Sequence, residues 1–224
     1  MGKARGTLGI FGQPDPRVVY SVATSEPLVA LTIDDGPDPE TTQRILDVLA
    51  ANDARATFFL ITSRVEQHPE VVDAILAAGH ELANHHHRDV PSIDLSHEEF
   101  VADLERSDTI LQRWTRPRWF RPGSGWYDDA MIDVLQEHGY RVALGSIYPL
   151  DGQLPSPGFA AWFIRSRVEP GAVIILHDRS ARGSRTARAL EWALPDLRRR
   201  GYRVVSLSTL VTAGDEAPGT EGEQ

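Results

Sequence analysis

Leu28-Val29-Ala30-Leu31-Thr32-Ile33-Asp34-Asp35-Gly36-Pro37 reads as an apolar strand that runs into two adjacent carboxylates. Side chains alternate across a strand, so neighbouring acids at its carboxyl end point differently and can hold different jobs, one binding a metal and one moving a proton. Residues 34–37 also read as a plain turn, because Asp, Gly and Pro all favour turns. The rest of the chain has to decide between the two.

Strand-like and helix-like patterns alternate outward from this stretch, which predicts a parallel sheet with crossover helices. Asp38 reads as an N-cap and Pro39 as the first position of a helix reaching about residue 51. Strands follow at 56–61, 80–84, 118–121, 140–145, 172–177 and 202–207. Helices are expected at 70–78, 128–138, 159–168 and 186–200, with a loop at 151–157. Ser96 and Glu99 form a capping box ahead of Phe100, Leu104, Leu111 and Trp114, whose spacing lays a core-facing stripe on one helix. Gly79, Gly139 and Gly201 each stand between a helix and a strand, as residues in the left-handed C-terminal position do. About seven strand–helix units close or nearly close a barrel.

The 224 residues suit one domain, and the formal net charge of −9 disfavours nucleic acid and anionic lipid as partners. With no cysteine, any metal must rest on His and carboxylate ligands. No apolar run is long enough to span a bilayer. Lys3 and Arg5 precede only a brief apolar patch at 8–11, so no export signal is expected in the sequence as written. Residues 1–27 are expected to form an N-terminal segment, 28–211 the domain, and 212–224 a disordered tail.

The polar residues fall at strand ends: Asp34 and Asp35, Asn84 and His85, Arg121, then His177 and Asp178. In a parallel barrel those ends gather on one face, where active sites lie. His177 taken alone also reads as a solvated strand-end residue. His85 and Asp89 stand four apart, so one helical turn would put both on the same side. Asp35, His85 and Asp89 could then supply three metal ligands and leave one position for water. Such donors suit zinc, the expected ion, and also cobalt, nickel or manganese.

These residues resemble the polysaccharide deacetylases that share the NodB homology domain, carbohydrate esterase family 4. The first motif of that family matches residues 32–37 and the fifth matches Pro170-Gly171-Ala172-Val173-Ile174-Ile175-Leu176-His177-Asp178, and the likeness spans residues 29–210. The resemblance implies an α/β fold, a distorted (β/α) barrel of about seven parallel strands. It also implies a metal-dependent hydrolase that removes N-acetyl groups from an amino-sugar glycan of chitin-oligomer or peptidoglycan type. By the same resemblance Asp34 is the general base, Asp35 and His85 are metal ligands, His177 is the general acid and Arg121 orients the base.

Three departures from the family pattern stand out. Asp89 occupies the position of a second histidine and is expected to replace it as a ligand. Pro122-Gly123-Ser124-Gly125-Trp126 replaces the usual third motif; the Ser124 backbone N–H is expected at the oxyanion and Trp126 as an aromatic wall. The fourth motif is not recognisable; Asp151 is its nearest candidate, with Asp178 as an alternative partner for His177. An O-deacetylase acting on xylan, a hydrolase of small formamides or ureides, and a glycan-binding pseudoenzyme remain as alternatives.

Overall fold

The computed structural model describes residues 15–216. Eight strands and eight helices alternate along most of this span. They are β1 (Val18–Val19), β2 (Leu28–Asp34), α1 (Thr41–Ala51), β3 (Ala56–Leu60), α2 (Thr62–Gln67), α3 (Pro69–Ala77), β4 (Glu81–Asn84), α4 (His97–Leu111), β5 (Trp119–Phe120), α5 (Asp129–Glu137), β6 (Arg141–Ala143), α6 (Pro157–Arg167), β7 (Val173–His177), α7 (Ser180–Arg199), β8 (Arg203–Val205) and α8 (Leu207–Asp215). The strands run parallel in the order β1-β6-β5-β4-β3-β2-β7, with β8 beside β2. Past β6, Ile147 bridges to Ile174 of β7, and Ser21 bridges to Ala172. The sheet therefore curls into the expected distorted α/β barrel.

β2 is buried along its whole length, as a strand covered on both faces must be, and this is why it reads as a continuous apolar run. Its period-two alternation divides the core. Val29, Leu31 and Ile33 face outward against Ile45, Leu49 and Leu190 of the flanking helices. Leu28 and Ala30 face inward with Phe59, Ala83, Trp119, Ala143 and Val173. Asp34 continues the inward series. The register sets it opposite both Phe59 and His177.

The Ser96–Glu99 capping box is present, and Phe100, Leu104 and Leu111 are buried as expected. Elsewhere the elements differ from the sequence reading. Helix α1 starts at Thr41, because Asp38 accepts from the backbone N–H groups of Glu40 and Thr41 in a turn before the helix. Helix α7 begins at Ser180 rather than 186. Its first turns are polar and contain Gly183, where a Cβ would lie 2.4 Å from Thr41 Oγ1 and 2.7 Å from Asp178 Oδ1; packing closeness sets this helix start. The tail expected from residue 212 is helical as far as Asp215, with Leu210 and Val211 buried; residues 217–224 lie outside the described residues. Of the expected N-terminal segment, residues 1–14 lie outside them too, and Val18–Val19 pairs with β6 as an edge strand.

Candidate active site

A cavity of about 540 Å³ opens at the carboxyl ends of the strands, lined by Asp34, Asp35, His85, Arg121 and His177 among others. The sequence places these five on four separate strands or strand ends, and the barrel brings them together. At the turn after β2 Asp35 takes φ +73° and the Gly36–Pro37 peptide is cis. Asp tolerates the left-handed region better than most residues, so residues 34–37 are both the turn and the site.

Asp34 lies on the inner face. Its Oδ1 accepts a 2.5 Å hydrogen bond from Arg121 Nη1, and both side chains are almost wholly buried. Arg121 is fixed on every side. It donates from Nε to Ala143 O, from Nη2 to Leu144 O and from Nη1 to Thr32 Oγ1, and it lies 4.0 Å above the Phe59 ring. A buried cation bonded through all three of its nitrogens holds one orientation and aims the carboxylate it pairs with.

His177 ends β7 in register with Asp34. Its Nδ1 is 2.9 Å from Asp151 Oδ1, and its backbone N–H donates to Asp151 Oδ2. Burial disfavours the imidazolium, but the Asp151 hydrogen bond and the charges of Asp151, Asp34 and Asp35 outweigh it and raise the pKa. Asp151, the nearest candidate for the fourth motif, is the acid that pairs with His177. Asp178 does not pair with His177: it accepts from Thr41 and Thr42 at the start of α1, and burial pushes its pKa up to about 6.

Three consecutive histidines leave β4 in three directions. His85 points into the cavity, with Nδ1 at 2.7 Å from the Arg121 carbonyl. A carbonyl only accepts, so Nδ1 carries the proton and Nε2 faces Asp35 Oδ1 at 3.6 Å. His86 turns into a separate apolar cluster between Phe100 and Phe120, with Nδ1 at 2.6 Å from Asp103. His87 meets Thr62. Asp103 also accepts from the His87 N–H and from Arg88, so one buried acid on α4 pins the loop. Asn84, also expected at the site, instead turns to Ser107 and Tyr140 in the core.

Asp35 and His85 fit a divalent cation. Two ligands of a tetrahedral ion stand about 3.4 Å apart, and the outer hydrogen bond on Nδ1 fixes the imidazole as metal-binding histidines require. Burial opposes the charge on Asp35, yet His85, His177 and Arg182 together hold it well below the usual carboxylate range. Asp89 does not join the pair as expected, and no group of three His, Asp or Glu side chains converges on a metal position among the described residues. The expectation required one helical turn from His85 to Asp89. The segment is instead irregular, with His86 at φ +70°. Asp89 reaches the cavity rim, where Oδ2 accepts from Arg64 Nη2 at 2.7 Å and Arg179 Nη1 at 2.5 Å.

Ser124 and Trp126 line the cavity. Ser124 has φ +62° and sits on a tight turn whose Gly123 approaches the neighbouring loop so closely that a Cβ would lie 2.1 Å from Val90 O. Sequence reasoning missed Arg64, Arg179 and Arg182, which surround Asp35 and Asp89. The dense arginines after His177-Asp178 were the available signal.

The family model described as polysaccharide deacetylase matches residues 21–143. A peptidoglycan-N-acetylglucosamine deacetylase of Bacillus cereus is 34% identical over 202 residues, covering 89% of this chain and 95% of that protein. A chitooligosaccharide deacetylase of Bradyrhizobium is 31% identical, covering 81% of this chain and 90% of the relative. Among solved structures, a peptidoglycan N-acetylglucosamine deacetylase bound to a naphthalenyl N-hydroxybenzamide superimposes with a TM-score of 0.83 at 27% identity, over 88% of this chain and 93% of that one. The chain belongs to the polysaccharide deacetylase family.

Proposed function

We propose that this member of the family hydrolyses the N-acetyl group of an amino-sugar glycan of chitin-oligomer or peptidoglycan type, releasing acetate and a free amine. The observation that carries this reading is the pairing of a buried carboxylate, Asp34 on Arg121, with an imidazole whose pKa is raised, His177 on Asp151, in one cavity. Amide hydrolysis needs both: a base for the attacking water and an acid for a nitrogen that leaves poorly without a proton.

Asp34 accepts the proton of the water that attacks the acetyl carbonyl carbon, and Arg121 keeps Asp34 aimed. The backbone N–H of Ser124 is the proposed donor to the oxyanion as the carbonyl oxygen gains charge. His177 delivers its proton to the amide nitrogen as the C–N bond breaks, and Asp151 holds the ring and favours its charged form. Trp126 forms a wall for the sugar ring. Asp35 and His85 would hold a divalent cation, zinc or else cobalt, nickel or manganese, which when bound supplies Lewis-acid polarisation of the carbonyl and acidification of the attacking water.

Acetate release from N-acetylated amino-sugar oligomers, acetylated xylan and small amides, after metal removal and readdition of single ions, tests the reading. Release from the amino-sugar oligomers, lost on metal removal, is expected. Release from acetylated xylan alone would reassign the substrate, and oligomer binding without release from any of the three would make the protein a glycan binder.

A further inference from the structure

Every carboxylate that faces the cavity is already paired with a guanidinium. Asp34 holds Arg121, Asp35 Oδ2 accepts from Arg182 Nη1 at 2.9 Å, and Asp89 holds both Arg64 and Arg179. Arg64 also donates to the backbone carbonyl of Asp35. Arg88, which lines the cavity too, is matched by Asp103. The five arginines therefore meet four acids, Asp34, Asp35, Asp89 and Asp103, before any dication enters.

A seat for a divalent cation gains its affinity from uncompensated negative charge, and a cation already resting on the ligand opposes a second one. Arg182 is the closest such opponent. It binds one oxygen of the carboxylate whose other oxygen faces His85 Nε2. Its guanidinium also rests against Gly152, where a Cβ would stand 3.4 Å from Cζ and Nη2. Gly152 follows Asp151, so the loop that orients His177 also carries the bed for Arg182. Unlike buried Arg121, the Arg182 side chain is 34% exposed and has room to swing into solvent.

We propose that Arg182 competes with the divalent cation for Asp35, so that cation affinity in this chain is set by the release of Arg182 rather than by the Asp35–His85 pair alone. Arg64 and Arg179 likewise hold the carboxylate of Asp89 at the rim. The proposal rests on the reading that Asp35 and His85 hold the metal. The alternative role for Arg182 is a support that orients Asp35 for the ion, as outer hydrogen bonds to ligating carboxylates do. The two roles predict opposite signs.

The test is calorimetric titration of the full chain with Zn2+, repeated with Co2+ by visible absorption, on the parent protein, Arg182→Gln, His85→Ala and the double variant. Removing one unit charge near a dication is worth about tenfold in affinity even at high dielectric. Arg182→Gln should therefore bind Zn2+ at least ~10-fold more tightly, and His85→Ala should abolish that binding in both backgrounds. Equal or weaker binding by Arg182→Gln, with binding still dependent on His85, overturns the competition and leaves the metal reading standing. Binding that ignores His85 in every protein, or no binding in any, removes the metal reading and this proposal together.

Discussion

Two carboxylate–guanidinium pairs a few residues apart follow opposite logic. Asp34–Arg121 is sealed beneath the cavity with all three guanidinium nitrogens of Arg121 donating to named acceptors, whereas in Asp35–Arg182 and the Asp89 pairs Arg182 and Asp89 lie partly in solvent. The first pair cannot open without leaving a buried charge alone. The second can open at lower cost, because the Arg182 guanidinium, unlike that of Arg121, can pass into solvent. The same chemistry thus serves as a fixed orienting device in one place and as an exchangeable contact in the other, and the burial of the guanidinium makes the difference.

The sharpest way to break this contrast is to remove the cation from each pair. Arg121→Ala should cost roughly 3–5 kcal/mol of stability, as breaking a buried ion pair does, and acetate release should vanish with it; urea unfolding and a coupled acetate assay check both. Asp151→Asn has the next largest effect, on rate and pH dependence. The raised pKa of His177 depends on Asp151 working against burial, and the acid is active while protonated, so activity falls as pH rises through that pKa. Without the Asp151 charge the pKa drops. The basic limb of the kcat/KM profile should move to lower pH, with about a tenfold loss at neutral pH, and an unmoved limb would detach Asp151 from the acid. Arg182→Gln should change stability least, by under ~1 kcal/mol; a loss as large as that of Arg121→Ala would erase the distinction.

Seven of the eight strands, β2 to β8, were legible in the sequence, and those buried on both faces most plainly. β2 and β7 read as unbroken apolar runs, and the residues at their ends, Asp34, Asp35 and His177, follow once the barrel is assumed. His85 and Arg121 were legible for the same reason, each standing directly after a strand. β1 has only two residues and α2 one polar turn and a half, too short for periodicity to show. The start of α7 was hidden because its Ser-Ala-Arg-Gly-Ser composition is helical only through close packing on Thr41 and Asp178. Asp89 was misplaced because spacing assumes a regular backbone, and the loop after β4 is bent by a left-handed His86 and tied down by Asp103. That anchor had a signal of its own: an Asp on the apolar stripe of α4, between Phe100 and Leu104. Arg64, Arg179 and Arg182 sit at or just inside the starts of α2 and α7, and only the fold shows that all three turn toward Asp35 and Asp89.

The central claim is that Asp34 is the base and His177 the acid across one cavity. Acetate release from an N-acetylated amino-sugar oligomer by Asp34→Asn, with its fold confirmed by thermal melting and its substrate binding measured alongside, tests it most directly. The account predicts a loss of ~10²–10⁴-fold in turnover with binding kept. Turnover at the parent rate would contradict it.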